Sequence, residues 1–285
     1  MQDIYQKISR KMSAMSKSQL KIADYILENK NTVPFFTVGK MARMTGVSEA
    51  TVVRFATFLG YTGYPELQQY LQDALQKQLT TVERLDLSQQ VYEREEKGVY
   101  EVFQDDMANM KATMENLDLV SFKKAVEALL KAQRIYIVAN RSAVSLGVFL
   151  QYYLNIILGN AELLQTVESA TDYLNKLSQD DVVLGISFSR YTNSTVEIFS
   201  YAWDVGAKTI AITDNHFSPL IKHAHISLTA ASQIPTFIDS FVAPLSLINA
   251  LITMVGREKG EEFSNRLLSL EKIWERFDIF HSKTN

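Results

Sequence analysis

The chain of 285 residues contains no cysteine. This absence excludes a disulfide framework and any metal site built from thiolates. Histidine is also scarce, with four residues in the whole sequence, so a metal site rich in imidazole ligands is not expected. His223 and His225 resemble a ligand pair, but two histidines cannot complete a site, and we interpret them as residues of a helix end and a strand edge. We therefore expect neither a metal nor another cofactor.

The sequence also lacks an apolar run long enough to cross a bilayer. The longest such stretch, residues 241–255, is interrupted by Pro244, Ser246 and Asn249 and is shorter than the roughly 20 residues of a membrane span. The first residues lack the apolar core of a signal peptide. We therefore expect a cytoplasmic protein with no membrane partner.

Hydrophobic residues are plentiful and charge is unevenly distributed. They make up 47% of the sequence, including 15 Phe and 13 Tyr, which is enough for well-packed cores, and the length favours two domains. Residues 1–77 hold ten Lys and Arg against six Asp and Glu, a net charge of +4, whereas the remainder has a net charge of −7. The basic segment favours a polyanion as its partner, although chance variation in surface charge would give the same imbalance.

The apolar pattern divides the chain into three parts. Residues 1–77 predict helices throughout, and the polar residues 78–97 predict a linker compatible with short helical parts. Residues 98–285 predict a second domain, in which strands alternate with helices and two long helices close the chain, at about 241–257 and 260–277. The predicted strands are residues 134–139, 161–166, 181–187, 208–213 and 225–230. Near-continuous apolar strands predict a five-stranded parallel sheet with helices on both faces, a flavodoxin-like α/β fold joined to an all-α head.

The head contains the stretch "VGKMARMTGVSEATVVRFATFLG", which is typical of a helix-turn-helix. The first helix is predicted to end near Thr45, Gly46 to make the turn, Val47 to be buried and Ser48 to cap the second helix. The inward face of that second helix is predicted to comprise Val52, Phe55, Ala56 and Leu59. The opposite, outward face is predicted to comprise Glu49, Ala50, Val53, Arg54 and Thr57.

A helix of this kind binds in the major groove of DNA and presents its first turns to the bases. Arg54 is a candidate for two parallel hydrogen bonds to guanine. Ser48, Thr51 and Lys40 suit phosphate contacts. Sequence-independent attraction is expected from Lys7, Arg10, Lys11, Lys17 and Lys21. The alternative is a small helical interaction module in which Gly46 is an ordinary helix terminator.

Two hydroxyl-rich stretches follow strands of the predicted sheet. Ser142 lies in "ANRSAVSLG" after the first strand, and "SFSRYTNST" follows the third. Ligands of open parallel sheets bind beyond the carboxyl ends of the strands, where helix N-termini favour anions. We predict that Ser142, Ser187, Ser189 and Thr192 bind a phosphate, although each hydroxyl alone would also serve as a helix cap. Ser194 and Thr195 are assigned to the start of the next helix.

Arg190 interrupts this otherwise neutral set of side chains. A guanidinium binds a phosphate or a carboxylate through two hydrogen bonds, so Arg190 is a candidate ligand contact. Two other placements, in solvent or across a subunit interface, are equally compatible with the sequence.

With these motifs, nearly the whole chain resembles the RpiR/MurR family of bacterial transcriptional regulators, which join a helix-turn-helix domain to a sugar isomerase (SIS) domain. The stretches that carry the resemblance include "KSQLKIADYILEN", the helix-turn-helix and "DVVLGISFSRYTNST". It implies a DNA-binding regulator of sugar catabolism whose SIS domain senses a phosphorylated sugar or sugar acid. It also implies that Ser142, Ser187, Ser189 and Thr192 are ligand-binding hydroxyls.

The sequence departs from this family pattern in two places. The Gly-x-Gly-x-Ser turn with which SIS domains commonly begin is replaced by "VANRS", residues 138–142, which ends at Ser142 and contains no glycine. Arg190 stands where a glycine often follows the second serine. Glycine allows a close approach of backbone to phosphate, so these departures bear on how the ligand binds.

Other functions remain open from the sequence. A sugar-phosphate isomerase or lyase would need a general acid or base, for which Glu168 and His216 are candidates. Neither belongs to a recognisable catalytic constellation, and an enzyme has no use for a basic helix-turn-helix, so we expect no enzyme activity. A partner-binding protein without DNA contact is the third class.

The apolar residues 241–255 predict burial in the core or in a subunit interface, and we expect a homodimer, with a homotetramer as the alternative.

Overall fold

The computed structural model describes residues 4–76, 80–92 and 96–281 of the chain. Contacts divide it into two units. One runs to Ala108 and also holds Gln233–Ser240, and the other holds Asn109–Ser232 and the chain from Phe241 onward. The helices are α1 Ile4–Lys11, α2 Lys17–Glu28, α3 Val38–Thr45, α4 Glu49–Leu59, α5 Tyr64–Gln76, α6 Thr81–Val91, α7 Glu96–Glu115, α8 Leu119–Lys131, α9 Val144–Ile157, α10 Val167–Leu174, α11 Asn193–Asp204 and α12 Val242–Arg276. The strands are β1 Ile135–Ala139, β2 Ala161–Leu164, β3 Val182–Ile186, β4 Lys208–Thr213 and β5 Ile226–Thr229.

Hydroxyl side chains determine where the first helices begin. The side chain of Ser16 accepts the backbone N–H of Gln19, and the Gln19 side chain accepts the N–H of Ser16, so a capping box starts α2. Thr37 caps α3 by accepting the N–H of Lys40. The apolar faces of α1 to α5 share one core, whose fully buried members include Ile8, Ile22, Ile26, Met41, Phe55, Leu59, Leu67 and Leu71.

Helix α6 lies within the stretch that the sequence predicts as a linker. Thr80 and Glu83 form a second capping box at its start. Leu87 and Val91 are buried and cluster with Leu75 of α5. The stretch predicted as a linker compatible with short helical parts therefore contains an ordered helix over Thr81–Val91.

Arg84 connects α6 to the segment Gln233–Ser240. Its side chain is 8% exposed and lies 2.8 Å from the carboxylate of Asp239. Its guanidinium also donates to the carbonyl oxygens of Thr236 at 2.9 Å and of Ile238 at 2.8 Å. A buried guanidinium needs such partners because an uncompensated buried charge is strongly destabilising. Segment 233–240 follows β5 in the chain, yet it packs on α6 of the first unit.

The second unit is built on a five-stranded sheet with the order β2-β1-β3-β4-β5, in which every pairing is parallel. All residues of β1 and β3 are buried, as expected for strands covered on both faces. One face packs against α8, α9 and the first part of α12, and the other against α10 and α11. The predicted α/β fold, its five strands and its flavodoxin-like order are confirmed.

Two local details of this unit differ from the prediction or refine it. The predicted strand 161–166 ends at Leu164, because the side chain of Thr166 accepts the N–H of Ser169 and caps α10 instead. A Cβ at Gly185 of β3 would lie 2.6 Å from the ring of Phe199, so this glycine allows α11 to pack closely on the sheet.

Helix α12 is interrupted at Gly260, where φ is 49° and ψ is −120°. This break agrees with the prediction of two closing helices. The first part buries Leu247, Ile248, Leu251 and Val255 in the core, so burial within this unit accounts for the apolar character of residues 241–255. In the described ranges, no helix has the length and hydropathy of a membrane span.

Candidate DNA-binding and ligand-binding sites

The helix-turn-helix has the predicted geometry. Gly46 adopts φ of 65° and donates its N–H to carbonyl groups of α3, and the side chain of Ser48 accepts the N–H of Thr51. Val47, which was predicted to be buried, is only half-buried, because it packs at the edge of the core of the head. The predicted inward residues Val52, Phe55, Ala56 and Leu59 are all buried. The predicted outward residues Glu49, Ala50, Val53, Arg54 and Thr57 are all exposed.

Three of the predicted DNA-contacting side chains form a hydrogen-bonded row on α4. The hydroxyls of Ser48 and Thr51 lie 2.9 Å apart, and Nη2 of Arg54 donates to Oγ1 of Thr51 at 3.2 Å. This row orients the guanidinium along the exposed face of the helix, beside Val53, which is 42% exposed. The outward face therefore combines an arginine, hydroxyls and an apolar side chain, which suit guanine, phosphate and the thymine methyl group respectively.

The structure does not bring Lys40 into this row. Its Nζ donates to the carbonyl oxygen of Val91 at 3.4 Å and lies 4.7 Å from the ring centroid of Phe36. Lys40 therefore contacts the C-terminal end of α6, a placement that no sequence motif indicated. Lys11 of α1 similarly donates to the carbonyl oxygen of Phe58 at 3.1 Å.

The candidate ligand site lies where the direction of strand order reverses. The chain moves from β1 outward to β2 on one side and to β3, β4 and β5 on the other. Ala139, at the end of β1, pairs with Ile186, at the end of β3. The predicted hydroxyl-bearing turns, residues 140–144 and 187–193, therefore follow adjacent strands and border one crevice, the position at which such sheets bind ligands.

The turn after β3 is fixed by its backbone. The N–H of Ser187 donates to the carbonyl oxygen of Ile212 at 3.2 Å, and its own carbonyl accepts from Oγ1 of Thr213 at 2.7 Å. Ser187 is buried, whereas Ser189 and Thr192 are half-buried. Thr192 is the N-cap residue of α11, but its side chain makes no capping hydrogen bond. Its hydroxyl is therefore not used by the helix.

Asn140 joins the two turns. Its Nδ2 donates to Oγ1 of Thr195 at 2.9 Å, and Thr195 is fully buried in the first turn of α11. Ser142 lies in the same turn as Asn140 and is exposed. The assignment of Thr195 to the helix start is compatible with this bond, but the role of Asn140 was missed. An amide immediately after a predicted strand was the available signal for it.

Tyr191 and Asp214 form a second link, between the turn after β3 and the end of β4. The hydroxyl of Tyr191 donates to Oδ1 of Asp214 at 2.7 Å. Thr213 and Asn215 donate to the same oxygen, whereas no described residue donates to the buried Oδ2. Burial raises the pKa of Asp214, and the hydrogen bond from Tyr191 lowers it in part. No sequence signal linked these two residues, which lie 23 positions apart.

The candidates for catalysis and metal binding are dispersed. Glu168 begins α10 after β2, and His216 is exposed in the turn after β4. His225 immediately precedes β5, shares a hydrogen bond with Thr209 at 2.7 Å and stacks on Trp203. His223 is the last residue of the short 3-10 helix Pro219–His223. Among the described residues, no group of three His, Cys, Asp or Glu could hold a metal ion.

Comparisons with known proteins agree with both units. The model of the helix-turn-helix domain of the rpiR family matches residues 2–78, and that of the SIS domain matches residues 128–254. An HTH-type transcriptional regulator of Caldanaerobacter subterraneus, itself uncharacterized, is 31% identical over 290 residues, which cover 96% of this chain and 99% of that protein.

Solved structures have the same fold. The sugar isomerase domain of an RpiR transcription factor from Sphaerobacter thermophilus is 26% identical, with a TM-score of 0.59, and the match covers 61% of this chain and 98% of that one. NanR of Vibrio vulnificus, complexed with ManNAc-6P, is 23% identical, with a TM-score of 0.57, and the match covers 96% of this chain and 98% of that one.

The helix-turn-helix and the parallel sheet with its crevice define a transcriptional regulator that carries a SIS domain. The helix-turn-helix model names the family more narrowly, and the match to the regulator from Caldanaerobacter extends over 96% of the chain. The chain belongs to the RpiR family of HTH-type transcriptional regulators, as its motifs predicted.

Proposed function

We propose that this protein regulates genes of carbohydrate metabolism in response to a phosphorylated sugar or sugar acid. Residues 1–77 bind double-stranded operator DNA, residues 78–97 link the two parts, and residues 98–285 bind the effector and assemble the oligomer. The proposal is carried by the presence of two features in one chain. The recognition helix α4 is capped and has an exposed face. Hydroxyl-bearing turns line the crevice where the strand order reverses. Because its target is chromosomal DNA, the protein acts in the cytoplasm.

The effector site consists of Ser142, Ser187, Ser189, Arg190 and Thr192. Helices α9 and α11 begin at the two turns, so their N-terminal N–H groups and dipoles favour an anion there. Hydroxyls add hydrogen bonds to phosphate, each contributing on the order of 1.5–3 kcal/mol because the acceptor is charged. The SIS neighbour NanR, which is complexed with ManNAc-6P, supports a phosphosugar as the ligand class.

The protein is proposed to sense its ligand without transforming it. An isomerase needs an acid or base within hydrogen-bonding reach of the substrate. Glu168 follows β2 and His216 follows β4, the strands that flank β1 and β3, so neither candidate is on the two turns of the crevice. The absence of sugar-phosphate turnover in a coupled isomerase assay with aldose and ketose phosphates would support this view, whereas measurable turnover would favour an isomerase or lyase.

A homodimer, or a homotetramer, is the proposed assembly. One face of α7 presents apolar side chains at alternating intervals of three and four residues, and each of them is exposed by 40% or more. They are Tyr100, Phe103, Met107, Met110 and Met114. Such spacing suits helix-to-helix contact with a second copy. Light scattering after size exclusion tests this assembly, and a monomer at micromolar concentration would contradict it.

Effector binding is proposed to change the spacing of two DNA-binding heads in the oligomer. Two half-sites lie about 34–36 Å apart, so a small rotation between subunits would misplace one recognition helix. The coupling is expected to be about 1–3 kcal/mol and must be reciprocal, so operator DNA should change effector affinity by the same factor. Equal effector affinity with and without operator would contradict this mechanism.

The proposal is tested by binding to the DNA upstream of the neighbouring genes, with a panel of phosphosugars and phosphosugar acids added. We expect binding that weakens steeply with salt and responds to one member of the panel. Ser187→Ala combined with Ser189→Ala should abolish the ligand response and leave ligand-free DNA binding intact. Ser194→Ala, from the same stretch, is the matched control and should respond normally. Failure to bind any DNA at low salt would refute the function of residues 1–77.

A further inference from the structure

Arg141 and Arg190 have backbone conformations that side chains rarely adopt. Their φ angles are 55° and 64°, in the left-handed region that glycine occupies without steric penalty. Asn and Asp visit this region more readily than Arg does, because their short polar side chains can hydrogen-bond to the nearby backbone. Strained positions of this kind concentrate at functional sites, where the surrounding structure holds them in place.

Both arginines border the crevice between β1 and β3. Arg141 follows the end of β1 by two residues, and Arg190 follows the end of β3 by four. The ends of these strands pair directly, and Asn140 of the first turn is hydrogen-bonded to Thr195 of α11. The two strained turns are therefore neighbours that face one ligand site.

The two turns carry charge of one sign. Residues 140–144 and 187–193 contain two arginines and no Asp or Glu. Both arginine residues are exposed. The hydroxyls and helix N-termini of the same turns already supply hydrogen-bond donors for one phosphate. The two arginines are therefore additional donors, which suit a second anionic group.

We propose that the effector carries a second anionic group besides its phosphate, and that Arg141 and Arg190 bind it. The inference rests on the proposed function, because it assumes that the crevice holds a phosphorylated sugar. Carboxylate and phosphate both match the planar fork of a guanidinium, so either group would serve as the second anion. A neutral sugar terminus offers no comparable partner for two arginines on strained turns.

The test is isothermal titration calorimetry with two matched pairs of ligands at fixed ionic strength. Glucitol 6-phosphate and 6-phosphogluconate differ in having a hydroxymethyl or a carboxylate terminus. Fructose 6-phosphate and fructose 1,6-bisphosphate differ by one phosphate. We expect the doubly anionic member of at least one pair to bind about tenfold more tightly or better, the effect of one added charge-assisted hydrogen bond. The pair that responds identifies the second group.

Variants connect the preference to the arginines. Arg141→Gly and Arg190→Gly suit a positive φ, so both are expected to fold, and each should reduce the preference while retaining affinity for the singly anionic ligand. Arg190→Lys keeps the charge but not the bidentate geometry and should lie between wild type and Arg190→Gly. Arg257→Gln, on the exposed surface of α12, removes the same charge elsewhere and should leave the preference unchanged.

The possible results separate this inference from the proposed function. Equal affinity within both pairs would overturn the second anionic group while leaving phosphosugar binding intact. An unchanged preference in both glycine variants would overturn the assignment to Arg141 and Arg190. Failure of these four ligands and of every phosphosugar in the DNA-binding panel would overturn the phosphosugar function together with this inference.

Discussion

Tyr191 donates its hydroxyl hydrogen to Oδ1 of Asp214 at 2.7 Å and so joins the loop that carries Ser189 and Arg190 to the end of β4. Asp214 is 6% exposed, and its second oxygen receives no hydrogen bond from a described residue. The candidate ligand loop is therefore held in place by a buried carboxyl whose environment disfavours its charge.

The stability of Asp214→Asn relative to wild type is expected to increase as pH rises. Burial raises the folded-state pKa of Asp214 above the ordinary 3.8. A carboxyl that binds its proton more tightly when folded contributes stability that is present below its unfolded pKa and is lost as pH rises through its folded pKa. Asparagine retains the Oδ1 acceptor and has no charge to lose. The melting temperature of the variant relative to wild type should therefore be higher at about pH 8 than at about pH 3.5, which lies below the ordinary pKa.

The control for this prediction is Asp172→Asn, which changes an exposed residue of α10. It shows whether loss of a surface carboxylate by itself changes the melting temperature. A difference between Asp214→Asn and wild type that does not vary with pH would contradict a raised pKa at Asp214.

Tyr191→Phe removes the hydrogen bond to Asp214 and keeps the aromatic ring. We expect a loss of about 1–2 kcal/mol in the free energy of unfolding, within the range for hydrogen bonds to charged or partly charged groups. Effector affinity should fall as well, because the loop of Ser189 and Arg190 loses its link to β4. Urea unfolding and calorimetry provide the two measurements. Tyr201→Phe, at an exposed position of α11, is the matched control and should change neither.

Arg54→Ala should relax base specificity without affecting the fold. Arg54 is exposed on α4, and its side-chain hydrogen bond is to Thr51 of the same helix. Loss of a bidentate contact to guanine is expected to cost about 1–3 kcal/mol at one position of the operator. Fluorescence anisotropy with operator variants measures this cost. A uniform loss across all operator variants would show that Arg54 contacts the backbone instead.

Lys21→Ala provides the comparison for a phosphate contact. Lys21 is exposed on α2. Its removal should weaken binding equally for all sequences and reduce the slope of log affinity against log salt by about one. An unchanged slope would exclude Lys21 from the DNA-binding surface.

The sequence was sufficient to predict the sheet because burial on both faces leaves a near-continuous apolar run in each strand. The turn and cap of the helix-turn-helix were predictable for a different reason, since Gly46 and Ser48 act through local backbone geometry. The predicted end of β2 lay two residues too far along the chain, because the hydroxyl of Thr166 caps α10. The capping hydroxyl of Thr166 was visible in the sequence, but the prediction of the strand end did not take it into account.

Long-range contacts between polar residues were beyond sequence reasoning. Residues 78–97 were predicted as a linker with only short helical parts, because the inward residue Arg84 breaks the apolar period formed with Leu87 and Val91. The partners of Arg84 lie more than 150 positions away. Lys40 was assigned to phosphate by its charge, and only the structure relates it to Val91. In the crevice, the hydroxyl-bearing residues were predicted because they directly follow two strands. The hydrogen bonds of Asn140 and Tyr191 that link the turns to other elements were not predicted.

Arg84→Met should destabilise the first unit strongly. The side chains of Arg84 and Asp239 are 8% and 15% exposed, so the variant leaves a carboxylate largely buried without its cation. Breaking a buried pair in this way costs about 3–5 kcal/mol. Hydrogen exchange should show lost protection in residues 233–240, whose carbonyl groups at Thr236 and Ile238 accept from the same guanidinium.

A double-mutant cycle with Asp239→Asn separates the pair from the carbonyl contacts. If the charge of Asp239 is the main partner, the two substitutions together should cost clearly less than the sum of their separate effects. Lys111→Met breaks the exposed pair with Glu115, whose side chains are 71% and 57% exposed, and should cost at most about 1 kcal/mol. Additive effects would instead assign the role of Arg84 to its carbonyl partners, since those hydrogen bonds are lost whether or not Asp239 is charged.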